Sequence, residues 1–195
     1  MAGIMDMVAQ LSQGDTLKKL GSQLGVDQEA LGRGMSTALP LLVSALANNA
    51  SSPDGAQALH GALTRDHDGS AVKNASTALV DADTDDGSKI LGHVLGDRQD
   101  AAAQTIAKAT GMDREAAARL LATLAPVVMG ALGHLQQQHG LDAQGLSDRL
   151  NQEVDKARQA APGIMDVATR LLDRNQDGSI LDDVGGFVGR LFEKR

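Results

Sequence analysis

One stretch of this chain is written twice. Residues 20–46 read LGSQLGVDQEALGRGMSTALPLLVSAL and residues 106–132 read IAKATGMDREAAARLLATLAPVVMGAL. They align without a gap at an offset of 86, and nine of the 27 positions are identical. The matches fall where backbone geometry is demanding: Gly25 with Gly111, Asp27 with Asp113, Glu29 with Glu115, Pro40 with Pro126. In the first copy Leu17, Leu20 and Leu24 share one helical face. Gly25 suits the left-handed residue that ends a helix. Asp27 suits the cap of the next one, with Glu29 in its positive first turn, and Val26 can staple onto Leu31. Each copy then carries a proline inside an apolar run. Proline removes a backbone donor and crowds the turn before it, so the pattern predicts a kinked helix, or two helices meeting at Leu39 and at Ala125. The segments after the prolines have almost no polar face, which marks them as buried. Each is shorter than the roughly 20 residues of a bilayer span. The expectation is an all-α, multihelical single domain built on an internal duplication, with the two proline helices together at its centre, related by a pseudo-twofold axis.

Composition narrows the functional classes. Hydrophobic residues make up 42% of the 195, enough for a sizeable core. Phe187 and Phe192 are the only aromatic residues, so the core must be aliphatic, and the stacking platforms used for single-stranded nucleic acid are missing. A formal charge of −7 opposes a phosphate-tracking surface. Without cysteine there are no disulfides, cysteine zinc sites or thiol nucleophiles. The first residues, MAGIMDMVAQLSQGD, lack a basic region and carry Asp6 within their apolar part. They do not read as a secretory signal, no membrane span is expected, and the expected location is cytoplasmic.

Organisation follows from the same patterning. A duplicated core is expected over residues 1–162, with repeat 1 at about 16–63, an acidic loop at 64–86, and repeat 2 at about 98–159. Gly3 to Leu11 reads as a short amphipathic helix, and its GIMD recurs at Gly163 to Asp166. Residues 163–195 read as helix, loop and helix, with Val184, Phe187, Val188 and Leu191 striping the last helix.

That last loop carries the one chemical motif. Asp173 to Asp183 read DRNQDGSILDD, with oxygen side chains at Asp173, Asn175 and Asp177, glycine next at Gly178, and a carbonyl offered by Ser179. Calcium takes six to eight hard oxygen ligands, and alternating residues of a tight loop supply them from one side. In an EF-hand loop the twelfth position is a bidentate glutamate; here it is Val184, so Asp182 or Asp183 would have to close a shortened loop. The same residues also fit an ordinary acidic turn between helices. Two weaker echoes, Thr64/Asp66/Asp68/Gly69 and Asp81/Asp83/Asp85, fit solvated acidic loops better. His60, His67, His93, His134 and His139 are scattered.

The ordered set GVDxE…ALPLLVSAL, NNASSPDGAQAL, GSKILGHVLG and GMDxE…LAPVVMGALG resembles a bacterial family of uncharacterised proteins related to the YidB-like family, over residues 10 to 135. The resemblance implies an all-helical fold and carries over no catalytic residues. With no catalytic constellation in the chain, the expected role is a non-enzymatic helical interaction and self-assembly protein with a calcium loop at Asp173, Asn175, Asp177, Ser179, Asp182 and Asp183. Its partners are expected to be further copies of itself or an unidentified protein, docked on Ile4–Leu11 or Leu181–Phe192. Two alternatives stand beside it. One is a metal-dependent enzyme using the acidic loops with His67 or His93. The other is a helix-turn-helix nucleic-acid binder, which the negative charge disfavours.

Overall fold

The computed structural model describes residues 3–11, 14–66 and 79–172. The described residues are all-helical, with no strand among them. In chain order they form α1 (Ile4–Leu11), α2 (Asp15–Leu24), α3 (Gln28–Asn49), α4 (Pro53–Asp66), α5 (Thr84–Leu95), a 3₁₀ turn (Gly96–Arg98), α6 (Gln99–Thr110), α7 (Arg114–His139), α8 (Ala143–Ala160) and α9 (Pro162–Leu172).

The punctuation read from sequence is where the helices break. Gly25 and Gly111 sit at φ 70° and 81° and close α2 and α6. Asp27 and Asp113 adopt nearly identical extended backbones, φ −71° with ψ 161° and 160°. Each accepts from the N–H three residues on, Ala30 at 2.8 Å and Ala116 at 2.7 Å. Glu29–Arg33 at 2.6 Å and Glu115–Arg119 at 2.8 Å follow on the exposed faces. Replacing either cap, Asp27→Ala or Asp113→Ala, should cost about 1 kcal/mol, and the double variant about twice that, because the caps serve separate helices. Urea midpoints indistinguishable from wild type would refute this.

Of the two alternatives read at the prolines, the structure has the continuous helix. Pro40 and Pro126 lie inside unbroken helices of 22 and 26 residues, so neither α3 nor α7 divides at Leu39 or Ala125. In both, a threonine three residues earlier turns its hydroxyl onto the preceding turn. Thr37 donates to the Arg33 carbonyl and Thr123 to the Arg119 carbonyl, each at 2.9 Å, a bond that eases helix bending. Proline cannot donate to the carbonyl four residues back, which frees Ser36 and Ala122. The Ala122 carbonyl is met by Gly87 of α5: a Cβ placed at Gly87 would overlap its oxygen. Continuity also makes α3 and α7 long and apolar enough, by length and composition alone, to cross a membrane. Their apolarity has an internal cause, since 83% of each apolar window is buried within this chain.

Around these two helices the chain crosses over itself. α3 packs against α7, and α4 against α8. The helices after α3 cover the second proline helix, α4 and α5 lying on α7. The helices after α7 cover the first, α8 and α9 lying on α3. Gly34 and Leu120, 86 positions apart, face each other: a Cβ at Gly34 would stand 2.7 Å from Leu120 Cδ2. The resulting core is aliphatic, with Leu31, Leu41, Leu42, Leu120, Leu121, Leu124 and Leu132 at most 2% exposed.

Three boundaries differ from the sequence reading. Both ends of the stretch expected as an acidic loop, 64–86, are helical, because α4 runs to Asp66 and α5 starts at Thr84. Asp83 sets the start of α5, accepting from the N–H groups of Asp85 and Asp86 at 2.9 and 3.1 Å. Those two aspartates then lie in a helical first turn, where the dipole favours them. Third, α9 begins at Pro162 rather than after it, since proline fits a first helical turn whose N–H has no partner.

Candidate functional site

The six residues expected to hold calcium, Asp173, Asn175, Asp177, Ser179, Asp182 and Asp183, lie outside the described residues, as does Leu181–Phe192. The helix that enters the loop is described. α9 turns Met165, Ala168 and Leu172 inward, each at most 1% exposed, and packs on α3. Ser44 of α3 approaches the Met165 sulfur at 3.8 Å. Leu172, the residue immediately before Asp173, is fully buried. The outer face of α9 carries Val167, the one large apolar side chain exposed among the described residues, at 39%.

Of the weaker acidic echoes, Asp66 pairs with Arg65 at 2.8 Å, and Asp83 is a helix cap. Asp68, Gly69 and His67 lie outside the described residues. The described histidines are spread over three helices, His60 on α4, His93 on α5, and His134 and His139 on α7. His60 lines an open depression of about 370 Å³ with Thr64, Gln136, Gln137, Gly140, Leu141 and Asp142. There Gln136 donates its amide to the Thr64 hydroxyl at 3.1 Å, while Asp142 caps α8 through the Gly145 N–H at 2.8 Å. Among the described residues no three of His, Asp and Glu are grouped to hold a metal.

The strongest polar site is one the sequence reading passed over. Glu153 of α8 is 1% exposed. One carboxylate oxygen faces Lys156 at 3.0 Å and Arg149 at 3.1 Å. The other accepts the Ile4 N–H of α1 at 2.9 Å. The fit is tight: a Cβ at Gly3 would run into this carboxylate. The anion thus meets the positive end of α1 and two cations on its own helix, the neighbours a buried carboxylate needs. A signal was present in the sequence. Leu146, Leu150, Glu153 and Ala157 recur at helical spacing, so a charge stands in register with the core face. This arrangement docks α1, whose Ile4 and Val8 are fully buried and which packs on α7. The face of Ile4–Leu11 expected to await a partner is therefore occupied within the chain.

Geometry of this kind defines an all-helical protein organised on two buried, proline-containing central helices, with its buried charge used to hold one helix to another. The chain belongs to the bacterial proteins of unknown function grouped as DUF937, whose family model matches residues 6–135. That span runs from α1 into α7 and agrees with the resemblance read over residues 10 to 135. No curated protein and no solved structure matches the chain.

Proposed function

We propose that this chain is a non-enzymatic helical interaction protein that self-associates and takes calcium in the loop that follows α9. The observation carrying the proposal is the anchoring of α9: its inner face is locked against α3 up to Leu172, and the ligand series Asp173, Asn175, Asp177, Ser179, Asp182 or Asp183 begins at the next residue. A cation held there would be coupled to the core through a helix that cannot slide. Exposed Val167 gives that helix an apolar outer point.

The same reading takes the core as an internal duplication. Its support is the paired caps, the paired Thr–Pro turns, the contact between Gly34 and Leu120, and the reciprocal covering of each central helix by the other half's following helices. A duplication folded this way has the topology of two intertwined copies, a form suited to a protein whose task is association.

Calcium that binds only the folded state must stabilise it, by about 2.7 kcal/mol at a hundred times its dissociation constant. Calorimetric titration of the wild type should therefore give saturable heat and a raised melting temperature, and Asp173→Ala and Asp177→Ala should lose both. Equal heats and equal melting shifts in all three would remove the loop as the site. Sedimentation of the wild type over a concentration series, with and without calcium, tests the self-association; monomer throughout would end that part of the reading.

A further inference from the structure

We infer that the depression between α4 and the α7–α8 turn is a binding site for a small organic cation, a guanidinium or ammonium group on a short aliphatic body. The site shares no residue with the loop that follows α9.

A short hydrogen-bond chain fixes its polar groups. The Thr64 hydroxyl donates to the His60 carbonyl at 2.9 Å. Its oxygen is then left to accept, and the Gln136 amide nitrogen donates to it at 3.1 Å. This sets the orientation of an amide whose two ends are otherwise interchangeable. Gln136 Oε1 is therefore the end turned away from Thr64, and no described residue donates to it. Gln136 is only 8% exposed and lines the depression. A buried amide thus presents an unused acceptor to an open space. Buried acceptors call for a donor, and a ligand that carries donors gains the bond the fold leaves unmade.

Two further groups are unengaged. The His60 imidazole bonds no described residue, and in its neutral form it adds one acceptor nitrogen. Asp142 uses one oxygen to cap α8 through the Gly145 N–H at 2.8 Å; its other oxygen has no partner among the described residues.

The sign of the site follows. Among the described residues that line it there is no lysine or arginine, and Asp142 is the one carboxylate. α7 ends here at Gly140, so the negative end of its dipole borders the depression. The positive end of α8 is already met by Asp142. Acceptors and negative charge together select a cation rich in donors. Half-buried Leu141 supplies an apolar wall for its body. The volume of about 370 Å³ is that of a small-molecule site. A bare metal ion would leave most of it unfilled, and among the described residues no three of His, Asp and Glu are grouped to hold one.

Butylguanidinium is a direct probe, with butanol and butyrate as controls that share its aliphatic body. In a titration of the full chain followed by two-dimensional NMR, butylguanidinium should shift the Gln136 side-chain amide and the backbone signals of Gly140 and Asp142 along one saturable curve. Affinity for a molecule this small should be about millimolar. Butanol and butyrate should leave these signals in place. Asp142→Asn keeps the α8 cap, because asparagine caps as aspartate does. It should weaken binding about fivefold, the scale of a solvated ion pair. Gln136→Met keeps the length of the side chain, removes the free oxygen and should weaken binding about tenfold. Four results would overturn the inference: no saturable shift at these residues, an equal response to butanol or butyrate, affinity unchanged in both variants, or shifts scattered over the other surface carboxylates, which would be unspecific ion pairing.

Discussion

Gly87→Ala is expected to cost at least about 3 kcal/mol, above the usual range for one added methyl group in a core. The reason is what the methyl would meet. The oxygen of Ala122 occupies its position, with the carbonyl carbon 2.7 Å and Cα 3.1 Å away. These are backbone atoms of α7, one of the two buried central helices, and they have no rotamer to change. Pro126 leaves this carbonyl without its helical donor, which is why another helix can lie against it. Two further glycines calibrate the effect. At Gly34 a Cβ would meet only side-chain ends, Leu120 Cδ2 at 2.7 Å and Met112 Cε at 2.9 Å. Met112 can move, so Gly34→Ala should stay within about 1 kcal/mol of wild type. At Gly61, exposed on α4, a Cβ meets nothing within 4 Å. Gly61→Ala should stabilise by about 0.5–1 kcal/mol through helix propensity alone. The same chemical change is thus expected to have three different outcomes in urea unfolding. Equal effects at Gly87 and Gly61 would show that α5 does not approach α7 as described.

Glu153→Ala is expected to destabilise by about 3 kcal/mol, the scale of breaking a buried ion pair from one side. It removes the acceptor of the Ile4 N–H and the counter-charge facing Arg149 and Lys156 together. Glu153→Gln keeps a carbonyl acceptor but loses the charge, and should lie between Ala and wild type. The loss should also be local before it is global. Hydrogen exchange should accelerate first in the amides of Ile4–Leu11, while α3 and α7 keep their protection until overall unfolding. Uniform acceleration along the chain would mean that Glu153 supports the whole bundle rather than α1. The exposed pairs Asp15–Lys18 and Asp155–Arg158 supply a contrast. Both are solvated ion pairs, for which removing one partner costs little.

What the sequence by itself determined is the helical class, the helix breaks and the identity of the central pair. Gly25 and Gly111 take positive φ, and Asp27 and Asp113 cap, because these are local properties of one or two residues and their nearest turn. The burial of residues 41–46 and 127–132 was legible for the same reason, an apolar run with no polar face. The tertiary structure decided the rest. Whether Pro40 and Pro126 break their helices depends on what surrounds the freed carbonyls, and at Ala122 that is Gly87, 35 positions earlier in the chain. Whether Ile4 and Val8 face a partner or their own core depends on α7 and on a carboxylate 149 residues from Ile4. In each case the deciding atom lies on another helix, and periodicity along one segment carries no information about the face of the next.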